Sequence, residues 1–306
     1  MANPRILLVC LFILPMTVSV NAAQPEMTIE DTDPGVPAPE AVPASEEDGF
    51  DRFSLSLGLD FTNKYYFRGL LQEDDGVIAQ PSLELGAILH ESEEWSLSGF
   101  VGLWNSVHSE ETGAADTDDF DAVWYEIDVY AGLSLTAGRL TTDLAYTRYA
   151  SPNDAFVDVD EISVSFAWDD SGWSEHVTLS PYALVAFEVG DGQADGGDDR
   201  GIFLALGMEP SHTIDSTPVG PFTLSFPLEA GFSLSNYYEG GDGDDEFFGY
   251  FSAGIAGSVD LPAPEGFGAW SITVGIDYLL LGDTAEAVNN GSDSELLAHY
   301  GIAVEF

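Results

Sequence analysis

Phe53-Ser-Leu-Ser-Leu-Gly-Leu-Asp-Phe-Thr-Asn-Lys-Tyr-Tyr-Phe-Arg-Gly-Leu-Leu-Gln72 alternates from its first residue: Phe53, Leu55, Leu57, Leu59 and Phe61 take every second position, with Ser54, Ser56, Gly58, Asp60, Thr62 and Lys64 between them. A period of two belongs to a strand with one apolar and one polar face. Extended along the run, it places Tyr65 and Phe67 at the end of the apolar face and Lys64 and Arg68 on the polar face. An apolar band closed by aromatics and backed by small and charged residues suits a strand between lipid and a wet lumen. It also suits the edge of a soluble sandwich, and the rest of the chain has to separate the two.

The same pattern recurs at 77–89, 95–107, 123–135, 140–149, 161–168, 177–189, 202–208, 222–237, 247–261, 270–281 and 296–306. In the strand at 123–135, for example, Tyr125, Ile127, Val129 and Leu133 oppose Trp124, Glu126, Asp128 and Tyr130. Counting the first, the chain offers about twelve strands, the even number that closed bacterial barrels use. Connections after even strands are mostly short, as at 90–94, 136–139, 169–175 and 262–268, with 209–220 somewhat longer. Those after odd strands are acidic and Gly-rich: 108–121, 190–200, 239–246 and 282–295. Turns at one end and loops at the other are the division of a membrane barrel, and a sandwich has no reason to show it. The expected fold is therefore all-β: a closed antiparallel transmembrane barrel over residues 52–306. Tyr300, Ile302, Val304 and Phe306 alternate up to the last residue, similar to the terminal signal read by the barrel-assembly machinery.

Two segments precede the barrel. Arg5, an apolar run over 6–20 and the small-residue site Val20-Asn21-Ala22 read as a Sec signal peptide over 1–22. Cys10, the single cysteine, lies in that run, so no disulfide forms within the chain. Residues 23–51 are rich in Pro, Glu, Asp and Ala without hydrophobic period, and read as a disordered acidic linker. The implied location is the outer membrane, among its lipid and lipopolysaccharide. The chain of 306 residues carries 7 Lys+Arg against 54 Asp+Glu, a net charge of -47. That excludes nucleic acid as a partner, which needs basic patches, and suits salty surroundings.

Tyr65-Tyr66-Phe67-Arg68-Gly69, then Gln72 and Pro81, resembles the opening of the TorF-type porin family. Residues 126–132 and 146–152 resemble later stretches of the same family, and the likeness is clearest over 53–152. It implies an outer-membrane, porin-like barrel and leaves the solute undefined.

Strand parity places Asp60, Lys64, Arg68, Glu84, Glu126, Asp128, Asp143, Glu161, Glu188, Glu229 and Asp277 toward the lumen. A ring of carboxylates favours cations in a narrow pore, so the expected solutes are small and cationic or neutral. Alternatively, Lys64 and Arg68 pair with some of these carboxylates and plug the barrel, leaving a surface barrel that does not conduct. No cofactor, catalytic residue or metal site is expected. The histidines His90, His108, His176, His212 and His299 are scattered. His90-Glu91-Ser92 has the spacing of a lipid-cleaving pair but falls in a turn at the wrong end. The acidic loops starting at Asp191 and Asp242 fail the calcium-loop pattern, with Ile202 at the twelfth position of the first and Phe247 at the sixth of the second. Only loose divalent binding, bridging to lipopolysaccharide, is left open for them.

Overall fold

The computed structural model describes residues 52–306 apart from 111, 113–119, 175–176, 216, 219, 241–242 and 265. Residues 1–51, on which the expected signal peptide with Cys10 and the expected acidic linker fall, lie outside the described residues, as do His176 and Asp242.

The chain runs as β1 (Phe53–Thr62), β2 (Tyr65–Phe67), β3 (Leu70–Glu73), β4 (Ile78–Glu91), β5 (Trp95–His108), β6 (Trp124–Ala137), β7 (Leu140–Ala150) and β8 (Val159–Trp168). It continues as β9 (Tyr182–Glu188), β10 (Ile202–Met208), β11 (Ser211–Ile214), β12 (Phe222–Ser225), β13 (Leu228–Ser235), β14 (Phe248–Leu261), β15 (Ala269–Leu281), α1 (Asp283–Val288) and β16 (Ser294–Glu305). Fourteen of these strands form one antiparallel sheet. β1 pairs with β4 on one side and β16 on the other, with Asp60 opposite Gln80 and Gly301, so the sheet closes on itself. β12 and β13 pair with successive parts of β14, and β10 and β11 likewise form one wall strand, leaving a closed barrel of 12 strands.

Both interruptions are at prolines. Pro210 separates β10 from β11, Pro227 separates β12 from β13, and Pro181 stands just before β9. Proline has no N–H to give to a ladder, so the neighbouring pairing breaks off there. Their carbonyls still accept, from Trp168 N, Phe226 N and Gly254 N at 3.0, 2.9 and 2.8 Å.

The wall is inverted relative to a water-soluble protein. Leu85, Val101, Leu133, Leu144, Ile255, Val274 and Ile302 are exposed on its outside. Gln80, Glu84, Ser98, Ser134, Asp143, Ser165, Ser252 and Asp277 are buried within. Lipid accounts for the first set and an enclosed polar lumen for the second. Inside, large side chains lie flat along the wall because the neighbouring strand offers a glycine: Tyr130 lies over Gly102, Tyr182 over Gly207 and Tyr250 over Gly231.

Four expectations need correction. The first strand stops at Thr62, so Tyr65 and Phe67 are not the aromatic edge of its outer face. They belong to the β2–β3 hairpin, which folds into the barrel and buries Tyr65. Lys64 and Arg68 consequently leave the strand face: Lys64 sits at the hairpin's base and Arg68 at its tip. Tyr125 does not face outward, because a bulge pairs Ser106 with Glu126 and Val107 with Trp124 and turns its ring inside. The strand expected from 177 begins at Tyr182, held back by Pro181.

Candidate functional site: the barrel lumen

The loop half of the lumen is filled by the hairpin, and carboxylates line the wall around it. The hairpin turns on Arg68 and Gly69, at φ 49° and 83°. Positive φ at both central residues marks a type I′ turn, and glycine takes the second position at no steric cost. The turn carries Arg68 to Glu161 on β8, five strands round the wall from β1. Arg68 Nη1 donates to Glu161 Oε2 at 2.6 Å and Nη2 to Oε1 at 2.9 Å, a bidentate pair. Nη1 also donates to the Tyr237 hydroxyl at 2.8 Å, and the guanidinium lies 4.3 Å from the Phe203 ring centre. Burial alone would lower the Arg68 pKa, but Glu161, Tyr237 and Tyr149 together outweigh it and hold the group above its ordinary value.

Every other residue of the hairpin motif is held as well. The Tyr65 hydroxyl donates to Glu126 at 2.7 Å, Phe67 meets Tyr149 edge-on, and Tyr125 donates to Gln72 Oε1. Tyr238 donates to the Arg68 carbonyl at 2.8 Å. Asn289, just after α1, clamps the outgoing strand: Nδ2 donates to the Gly69 carbonyl and Oδ1 accepts from Leu71 N, both at 2.7 Å. At the base Lys64 Nζ donates to Glu295 at 2.7 Å. Tyr66 and Leu70 join Phe203, Tyr237, Tyr238 and Tyr250 in one buried cluster. Beneath the tip a cavity of about 30 Å³, bounded by Arg68, Glu229, Tyr250 and Asp277, has room for a water or two.

The inward carboxylates therefore divide by task. Glu161 and Glu126 hold the hairpin. Glu188 accepts from Ala194 N and Gly201 N at 2.7 and 2.6 Å, tying down the loop after β9. Glu229 takes the hydroxyls of Tyr182 and Tyr250, each at 2.5 Å. Asp128, beside Glu126, keeps one oxygen without a donor among the described residues. Of the others, Asp143 lies toward the turn end and Glu84 midway along β4, while Asp60 is two residues from the loop end of β1 and Asp277 borders the cavity beneath the tip. Asp143 accepts from Ser165 at 3.0 Å, yet among the described residues Glu84 Oε2 and Asp143 Oδ1 have no donor. Asp277 has one neighbouring cation candidate, His299 Nδ1 at 3.1 Å.

Sequence reading missed Glu209, Tyr237, Tyr238, Asn289 and the inward place of His299. Glu209 continues the inward parity of Phe203, Ala205 and Gly207 and was within reach of it. Asn289 follows a short helix in a loop, and no periodicity points to it. Of the features weighed for other chemistry, His90 stacks on Trp95 at 4.0 Å and Ser92 Oγ donates to the Trp95 carbonyl. The Asp191 loop uses Asp195 to accept from Gly197 N and Glu239 N. Among the described residues no three His, Cys, Asp or Glu side chains converge as metal ligands.

Residues 46–190 match the model of a family described as a bacterial protein of unknown function (Gcw_chp). That segment contains the hairpin and the first half of the wall. No curated protein matches the chain. Among solved structures it is similar to the COG4313 outer membrane channel from Pseudomonas putida F1, at 11% identity and TM-score 0.48 over 90% of this chain and 100% of that one. It is similar to the NanC porin at 12% and 0.37 (82% and 98% covered), and to LpxR from Salmonella typhimurium at 10% and 0.41 (82% and 99%). The barrel itself is read from the strand pairing above.

Proposed function

We propose that the chain is an outer-membrane, porin-like channel for passive diffusion of small cationic or neutral solutes. The observation that carries this is the lumen around the hairpin, where Asp60, Glu84, Asp143 and Asp277 face inward and oxygens of Glu84 and Asp143 have no donor among the described residues. Inward carboxylates in excess of cations attract cations and repel anions. The resemblance to TorF-type porins supports the same reading. On it, the chain is exported by the Sec pathway and inserted by the barrel-assembly machinery through Tyr300, Ile302, Val304 and Phe306, with lipopolysaccharide around its loop end. It performs no catalysis.

Reversal potentials across a KCl gradient in planar bilayers test the proposal. K⁺ should permeate better than Cl⁻, and the double variant Glu84→Gln with Asp143→Asn should bring the ratio toward unity. Anion preference, or a ratio indifferent to both substitutions, would overturn it. The packed loop half favours a second reading, a surface barrel that never conducts. Silence of both the native chain and a folded form without the hairpin would establish that reading instead.

A further inference from the structure

We propose that the β2–β3 hairpin is a movable plug, latched shut by Arg68 on Glu161, and that the channel is closed until this latch releases. The inference rests on the channel reading above and adds its regulation.

The first ground is connectivity. β2 and β3 pair only with each other and contribute no strand to the barrel sheet. Removing the hairpin from the lumen therefore breaks no ladder bond of the wall. Its anchors are side-chain contacts: Glu161, Tyr237 and Tyr238 at the tip, Asn289 on β3, and Glu126 and Tyr125 near the base. The second ground is shape. Tyr66 and Leu70 pack against wall residues both large, such as Phe203, Tyr250 and Leu279, and small, Ala186 and Ala205, so the hairpin presents a closed apolar surface to the wall. The lumen at this level is filled jointly by wall side chains and by a segment that is no part of the wall. The third ground is the kind of contact at the tip. A buried ion pair adds little net stability over an apolar pair, yet it is costly to split, so it fixes a position. Arg68 is held that way, at 3% exposure, by a carboxylate on a distant strand. The two connectors, 63–64 and 74–77, both leave at the loop mouth, and the outgoing one carries exposed Asp74 and Asp75 and a glycine, Gly76, at φ 70°. They allow the hairpin to swing toward the loop side without threading the barrel.

Two readouts test it. Cys10 is the chain's single native cysteine, so Leu70→Cys gives one reporter at a buried site on the plug once Cys10 has gone with the cleaved leader or been changed to Ser. A membrane-impermeant maleimide added to whole cells should label it slowly, and adding Glu161→Gln should speed labelling on the order of tenfold or more. In bilayers, Glu161→Gln and Arg68→Gln should each raise the time spent conducting, and replacing 65–73 by a short Gly-Ser linker should leave the pore open. Heat-modifiable mobility on gels shows which variants are folded; if the linker form fails to fold, the two point variants decide. Equal labelling with and without Glu161→Gln, or equal conductance of native and point-variant channels, overturns the plug. A linker form that is folded yet silent sinks the channel reading itself, while the labelling result still judges whether the hairpin moves.

Discussion

Leu144→Arg should destabilise the protein in lipid vesicles by about 2–4 kcal/mol, the cost of a basic side chain on the lipid face near the bilayer midplane. Leu144 lies midway along β7, is 50% exposed, and is flanked by Leu133 on β6 and Val164 on β8. The same substitution at Leu140, the first residue of β7 at the turn end, should cost only about 0–1 kcal/mol, because the side chain reaches the interface. Reversible urea unfolding in vesicles measures both. The gradient between the two positions matters more than either value. An exposed leucine on a water-soluble sheet would accept arginine at both places without loss. A leucine in a dry protein interior would reject it at both. Only a hydrocarbon slab makes the cost depend on depth.

Phe203→Ala should cost about 3–5 kcal/mol, the range for truncating a fully buried aromatic. Phe203 has no exposed surface and contacts the rings of Tyr237, Tyr238 and Tyr250, with the Arg68 guanidinium over its face at 4.3 Å. Part of the loss is the cation–π contact, which is strongest where the cation is desolvated. Urea unfolding again supplies the measurement, with Phe203→Leu as the graded companion that keeps most of the apolar volume. A loss below about 1 kcal/mol would mean that water already fills the loop half and that the cluster is not packed.

The wall of this barrel was legible because lipid and lumen impose opposite demands on alternate residues. Twelve alternating runs, short turns at one end and acidic loops at the other, led to the strand number the structure shows. Parity points Glu84, Asp143, Glu161 and Asp277 toward the lumen, and all four are buried. It failed where the chain leaves the period. Tyr65 and Phe67 continue the alternation of β1 in sequence, yet Arg68 and Gly69 take left-handed dihedrals that fold the segment back. The turn is carried by two adjacent residues, and a period of two has no way to register it. A one-residue bulge at Tyr125 reversed that ring for the same reason, since a single extra residue shifts parity locally. The partners of the hairpin were out of reach because they come from distant parts of the chain: Glu161, Tyr237 and Asn289 meet it only after closure. Of the stretches that resemble the TorF-type porins, Tyr65, Phe67, Arg68, Gly69 and Gln72 thus occupy the inward-folded segment, while Pro81 lies on the wall strand β4.

The three prolines have a mechanical meaning. Pro181, Pro210 and Pro227 fall at nearly the same height on three adjacent wall strands, as the contacts Thr178–Ser211, Phe226–Pro210 and Gly254–Pro227 show. Each withholds one donor from the girdle of bonds that runs round a barrel. The cylinder therefore has a seam, a line of reduced stiffness on the side from β9 to β13, where both interruptions of wall strands fall. When the ring is stressed, by insertion into a thinner bilayer or by lateral pressure, it should crease along that line, ovalising there before any other part of its circumference yields.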